Sequence, residues 1–211
     1  LPLHDALPIS TFTPRQAGDH WAVFSHNRGV LDWTHSDPQG NQLVTVHAKI
    51  LLDVHGDDET VAFSRLMGHD LEVLPLVDGG HIHAGEMYLA QLLYFGRPLA
   101  GVNVLFYGPN DITGETVTGE GGTFSFPLTV EGDWLIKISY VDSSRTGQEG
   151  GLAYAGARYT TTLLISPHAH DEDEVQPLPI SDPATNYGYI AMIIAMMLGA
   201  VFFYLKSKEQ N

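Results

Sequence analysis

The chain holds eleven histidines and no cysteine in 211 residues. Imidazole and carboxylate are therefore its strong metal-ligating side chains, and thiolate zinc sites, disulfides and cysteine nucleophiles are excluded. Two histidine groupings share one spacing. His81-Ile82-His83 and His168-Ala169-His170 each set two imidazoles two positions apart, which on an extended backbone puts both on one face and within reach of a single ion. Glu86 lies close behind the first pair, and Asp171, Glu172, Asp173 and Glu174 follow the second. Such nitrogen and oxygen donors suit Ni²⁺, Co²⁺, Zn²⁺ or Cu²⁺, and a flexible set of them does not choose sharply among these ions. Weak, exchangeable capture is the chemistry expected. Plainer readings stay open at both places: two exposed loop histidines without a metal duty at 81 and 83, and a solubilising acidic linker after 168.

A third grouping, Asp19, His20, Trp21, His26, Asp32 and His35, is histidine-rich at irregular spacing. His20, His26 and His35 are weaker metal candidates that would need the fold to converge them. Isolated His47, His55 and His69 fall on or beside expected strands and are read as hydrogen-bonded structural residues. No catalytic pattern accompanies any of them. G-x-S-x-G, H-E-x-x-H, G-x-x-x-x-G-K and a Rossmann fingerprint are all absent from the sequence, so no enzyme activity is expected. With 25 acidic against 10 basic residues and a formal charge of −15, the chain is a poor partner for nucleic-acid phosphates and a natural one for cations.

The elements that must position these residues read as β-structure. Val102, Val104 and Phe106 share one face of a period-two run; Phe124, Phe126 and Leu128 alternate with polar residues in TFSFPLT. Pro127 there marks an edge or a strand end. Trp134, Ile136, Ile138 and Tyr140 form one face of WLIKISY, with Trp134 expected in the core, and RYTTTLLI supplies a final β-branched strand. The segments 43–52, 71–77 and 87–95 also favour strands, whereas 59–67 suits a helical turn. Gly-rich GEGG (119–122) and EGD (131–133) are short enough for hairpins. Together these predict an all-β, Greek-key β-sandwich.

The two ends differ in kind. Residues 187–205 form 19 uncharged residues flanked by tyrosines and followed by Lys206 and Lys208, which predicts one C-terminal transmembrane α-helix with its lysines cytoplasmic and the bulk of the chain extracytoplasmic. LPLHDALPIS at 1–10 lacks the features of an export signal and reads as an adapter-derived artefact, with the natural sequence beginning near Thr11. The organisation expected is an N-terminal β-rich part over 11–80, a β-sandwich module over 81–166, an acidic His/Pro linker over 167–186 acting as a semi-rigid spacer, the membrane helix over 187–205 and a cytoplasmic tail over 206–211.

The segments GHDLEVLPLVD (68–78), AGE (84–86), LLYFGRPLAGVNVLF (92–106), TGEGGTFSFPL (118–128) and EGDWLIKISYVD (131–142) follow one another in an order that resembles the DUF4198 family, over about residues 43–166. Gly119 or Glu120 stands where that pattern commonly has Asp. The family is similar to periplasmic components of nickel and cobalt uptake systems. The resemblance implies a prealbumin-like or carboxypeptidase-regulatory-like sandwich on a membrane anchor, serving as an accessory subunit of an ABC or ECF-type importer whose permease is the partner. It implies no catalytic residue, and the 81–83 histidine pair belongs to this chain rather than to the family pattern. The alternative is a transthyretin-like structural or interaction module with no metal role.

Overall fold

A computed structural model describes residues 13, 15, 17–35, 38–54, 62–79 and 81–168. The expected linker from residue 169 on, the 187–205 span, His4, His55, His170, Asp171 and Glu172 lie outside the described residues. Among the described residues no helix is long and apolar enough to cross a membrane. Apart from one 3-10 turn at Glu120–Gly122, the regular structure described is all strand.

The described residues form twelve strands: β1 (Gly18–Asp32), β2 (Asn41–Val54), β3 (Leu71–Pro75), β4 (Met87–Tyr94), β5 (Arg97–Pro98), β6 (Asn103–Tyr107), β7 (Thr113–Val117), β8 (Thr123–Pro127), β9 (Trp134–Asp142), β10 (Gly147–Glu149), β11 (Leu152–Tyr154) and β12 (Ala157–Ile165). Six of them form one sheet in the order β1-β2-β12-β9-β6-β7. In the second sheet β4 pairs with β3 along one side and with β8 and β5 along the other. The last strand in sequence thus lies in the middle of the large sheet, antiparallel to β9 and parallel to β2.

The two sheets close on one core. Ala157, Tyr159, Thr161, Leu163 and Ile165 of β12 are buried at every second position, as are Trp134, Ile136 and Ile138 of β9; this is the strict alternation of strands with one covered face. Tyr88, Ala90 and Leu92 of β4, with Leu71 and Val73 of β3, approach from the other sheet. Aromatic rings join the layers. Phe126 of β8 stacks on Phe106 of β6 with centroids 4.3 Å apart and packs against Trp134 at 5.9 Å, a close offset contact of the kind aromatic pairs prefer. Phe106 spreads over its cross-strand neighbour Gly114, where a Cβ would lie 2.3 Å from the ring.

Most expected strands are present, and Pro127 ends an edge strand as anticipated. Three readings change. GEGG and EGD are not hairpin turns: the first takes the chain from β7 in the large sheet to β8 in the small one, and the second returns it to β9. Glycine is needed there to arch between layers about 10 Å apart rather than to reverse a strand in its own sheet. Gly122 shows this most sharply, with φ of 72° and its missing Cβ position 2.6 Å from the Leu92 carbonyl oxygen. The third change is the 15-residue β1, which the irregular histidine spacing concealed and which pairs with β2 through fourteen registered positions. The expected helical turn is, over its described part, a single turn closed by the Arg65 N–H on the Ala62 carbonyl.

Gly122→Ala should lower stability by about 2 kcal/mol or more, because a left-handed backbone and a close carbonyl both oppose the methyl. Gly121→Ala, at a similar φ of 77° with nothing within 4 Å, should cost roughly 1 kcal/mol. Urea denaturation midpoints of the two variants check this order.

Candidate functional site

The loop between β3 and β4 carries the first histidine pair, and the chain just after β12 carries the start of the second. The fold brings these together. His83 and His168 form an isolated parallel β-bridge, in which His168 N–H donates to the Ile82 carbonyl at 3.1 Å and Ala84 N–H donates to the His168 carbonyl at 3.0 Å. Bridge partners project to the same side with backbones about 4.8 Å apart. Ile82 between the two loop histidines is buried, which anchors the segment in the core and turns its neighbours outward.

Carboxylates complete the surroundings. His81 Nδ1 lies 3.0 Å from Asp78 Oδ2. Glu86 Oε2 accepts from the His83 N–H at 2.9 Å and lies 3.9 Å from His83 Nδ1. An open depression lined by Val77, Asp78, His81, Ile82, Glu86 and Met87 runs alongside. Among the described residues no three His, Asp or Glu side chains converge into a preformed metal cluster. The arrangement is a surface loop with donors in reach of one another, which side-chain rotation must gather around an ion.

The weaker N-terminal candidates do not assemble. His20 and His26 stand six residues apart on β1, opposite Leu52 and Val46, a separation of about 20 Å along an extended strand. His35 lies in the loop beyond that strand. The regular strand that carries His20 and His26 is what keeps them apart.

Sequence reasoning missed a buried charged cluster elsewhere. Lys49 on β2 and Glu72 on β3 form an ion pair at 3.0 Å with side chains 1% and 3% exposed. The Glu72 carboxylate also accepts from the N–H groups of Met67, Gly68 and His69. Burial pushes this carboxyl up, but the Met67 N–H, the Lys49 ammonium and the Gly68 N–H together hold it below its ordinary value. Lys49 lies over the Trp21 ring at 4.7 Å. Beside it His47 stacks on His69, with centroids 4.4 Å apart and planes 11° from parallel, and its Nδ1 meets Ser25 Oγ at 2.9 Å. Both imidazoles are held below their usual pKa: His47 by burial and then by His69, His69 by burial, partly offset by Glu72. His47 lies on β2 and His69 just before β3, and the Ser25 contact of His47 Nδ1 is the side-chain hydrogen bond expected of a histidine in such a place. A lysine inside TVHAKILL and a glutamate inside LEVLPLV were the available signals, since a lone charge in an apolar run needs a buried partner.

The fold and this loop define a two-sheet β-domain that displays histidines and carboxylates at one surface. The chain belongs to the family described as a domain of unknown function, DUF4198, whose profile matches residues 5–142. That match takes in the β1–β2 hairpin and ends with β9, short of β12. No curated protein and no solved structure gives a significant match.

The lowered histidine values set the acid response. Groups with depressed folded pKa stabilise fully above their unfolded value and lose that contribution as pH falls through the folded one. The melting temperature should therefore hold above the unfolded histidine value of 6.5, decline below it, and fall again when Glu72 protonates. Thermal melts from pH 8 to 4 check this, and in the double variant His47→Gln, His69→Gln the first decline should be lost. Glu72→Gln, which leaves Lys49 buried without its counter-charge, should cost about 3–5 kcal/mol.

Proposed function

We propose that the chain is a membrane-anchored, extracytoplasmic accessory component of a nickel or cobalt uptake system. Its Greek-key, prealbumin-like sandwich captures divalent metal through histidine and carboxylate groups and presents it to a permease. The observation that carries this reading is the His83–His168 bridge, which unites two histidine motifs separated by more than eighty residues of sequence. Three imidazoles, of His81, His83 and His168, then stand with Asp78 and Glu86 on one stretch of surface. Imidazole with carboxylate is the donor chemistry that suits Ni²⁺ and Co²⁺, and also Zn²⁺ and Cu²⁺.

The open, unassembled geometry suits hand-over rather than storage. A closed four-ligand cage retains its ion, whereas donors that must rotate into place release it readily. The acidic residues 171–174, with His170, would raise the local cation concentration next to His168. The uncharged 187–205 segment is the anchor, and its small residues Gly188, Ala191, Ala195 and Gly199 offer a stripe for packing on a permease helix.

Calorimetric titration of the purified chain with Ni²⁺, Co²⁺ and Zn²⁺ tests the reading. Micromolar-range binding is expected, weakened at least tenfold or so in His83→Ala with His168→Ala, since each removes a direct ligand. Binding that survives this double change would move the site elsewhere. No binding of any of the three ions would leave a structural or interaction module whose histidines are incidental.

A further inference from the structure

We propose that two copies of this chain join edge to edge through β1, making one continuous sheet across a two-fold axis. Among the described residues β1 is the outermost strand of the large sheet and pairs in it with β2 alone. Its outer edge therefore presents N–H and C=O groups along the centre of the strand, from Ala22 to Arg28. Residues Ala22 to Arg28 are exposed in unbroken succession. A strand covered on one face alternates between buried and exposed, so among the described residues this run is open on both faces up to Asn27, whose Nδ2 donates to Glu149 Oε1 at 2.8 Å. Phe24 and Val23 sit in it at 57% and 43% exposure.

The edge lacks the devices that normally keep strands apart. From His20 to Asn27 there is no Lys, Arg, Asp, Glu or Pro, and the register shift that distorts the strand comes only between Asn27 and Gly29. The opposite edge of the same sheet, β7, is five residues long and carries Glu115. A short, charged edge is protected against pairing, and a long one whose centre is uncharged is not.

Charge selects the occupant. A chain with a formal charge of −15 repels its own copies over most of its surface, so self-association must use a region without carboxylates. The stretch from Trp21 to His26 carries none, the Glu149 carboxylate meeting the strand only beyond it at Asn27 Nδ2, and this stretch is self-complementary. Antiparallel pairing about Phe24 sets Phe24 against its symmetry mate, Val23 against Ser25, Ala22 against His26 and Trp21 against Asn27, with no like carboxylates or ammonium groups opposed. The join also extends an existing apolar row. Ala22, Ile50, Leu164, Leu135 and Tyr107 are successive cross-strand neighbours on the face of the large sheet turned away from the core. A second copy would continue that sheet face past β1.

The absence of cysteine makes the test clean. Full-length chain carrying Phe24→Cys, in mild detergent and under oxidising conditions, should form a disulfide-linked dimer, because residues directly opposite in an antiparallel pair bring their Cβ atoms within bonding reach. Val117→Cys, exposed on the β7 edge, should remain largely uncross-linked under the same conditions. In sedimentation equilibrium Phe24→Lys should reduce the protein mass from two chains to one, while Leu135→Lys, on the outer face away from the edge, should leave it at two. Equal cross-linking at 24 and 117, or a wild-type chain that sediments as a monomer, overturns the proposal. Loss of the dimer in both lysine variants would mean that two sheet faces pack instead, and that result overturns it too.

Discussion

The position of the β1–β2 hairpin depends on one buried carboxylate. Glu72 sits where water does not reach, so its charge must be answered by protein groups, and three backbone N–H groups and one ammonium converge on it. That demand shapes the 67–69 segment, whose amides have to face the side chain. It also fixes Lys49, and with Lys49 the whole of β2. An apolar contact there would tolerate a slip along the strand, whereas an ion pair with hydrogen bonds from a fixed loop tolerates very little. The stacked imidazoles of His47 and His69 share the same seam and are kept neutral by the same burial.

How much of this was legible in the sequence follows from what each feature depends on. The strands of the core were readable because Trp134, Ile136 and Ile138, like Phe124 and Phe126, alternate strictly with polar residues, and alternation is a local property. β1 was not readable, since exposure on both faces along Ala22 to Arg28 removes that signal. The glycine connectors were read as turns because glycine reports a backbone conformation and says nothing about which sheet the next strand joins. Gly122 is required by the Leu92 carbonyl, thirty residues away in sequence. The two H-x-H motifs were each visible, but their adjacency was not, because only the path of β12 brings His168 beside His83. The Lys49–Glu72 pair left the faintest trace, one charge in each of two apolar runs.

The histidine loop and the β1 strand use opposite physical resources. The loop is local and polar, its donors held by Asp78, Glu86 and the anchor of Ile82 in the core, and it can rearrange without disturbing a strand. The β1 strand is long, uncharged in its centre and regular, so its useful groups are backbone amides and carbonyls at fixed intervals. One suits an ion that must come and go. The other suits a lasting protein contact.

The place of β12 has a consequence for how the molecule is made. Its neighbours, β2 and β9, are complete by residues 54 and 142, yet neither can be paired on its inner side until residues 157–165 have been synthesised. From residue 54 the nascent chain therefore carries one open ladder on β2, joined after residue 142 by a second on β9 across the same gap, and the parallel β2–β12 contacts close a loop of more than a hundred residues. Closure of that length costs entropy before any contact rewards it, so docking of the hairpin should be a late and slow event in folding. A chain cut at residue 142, where the family match ends, would never reach that event. The nascent protein thus has a period of vulnerability set by topology alone, and the final strand acts as the keystone that ends it.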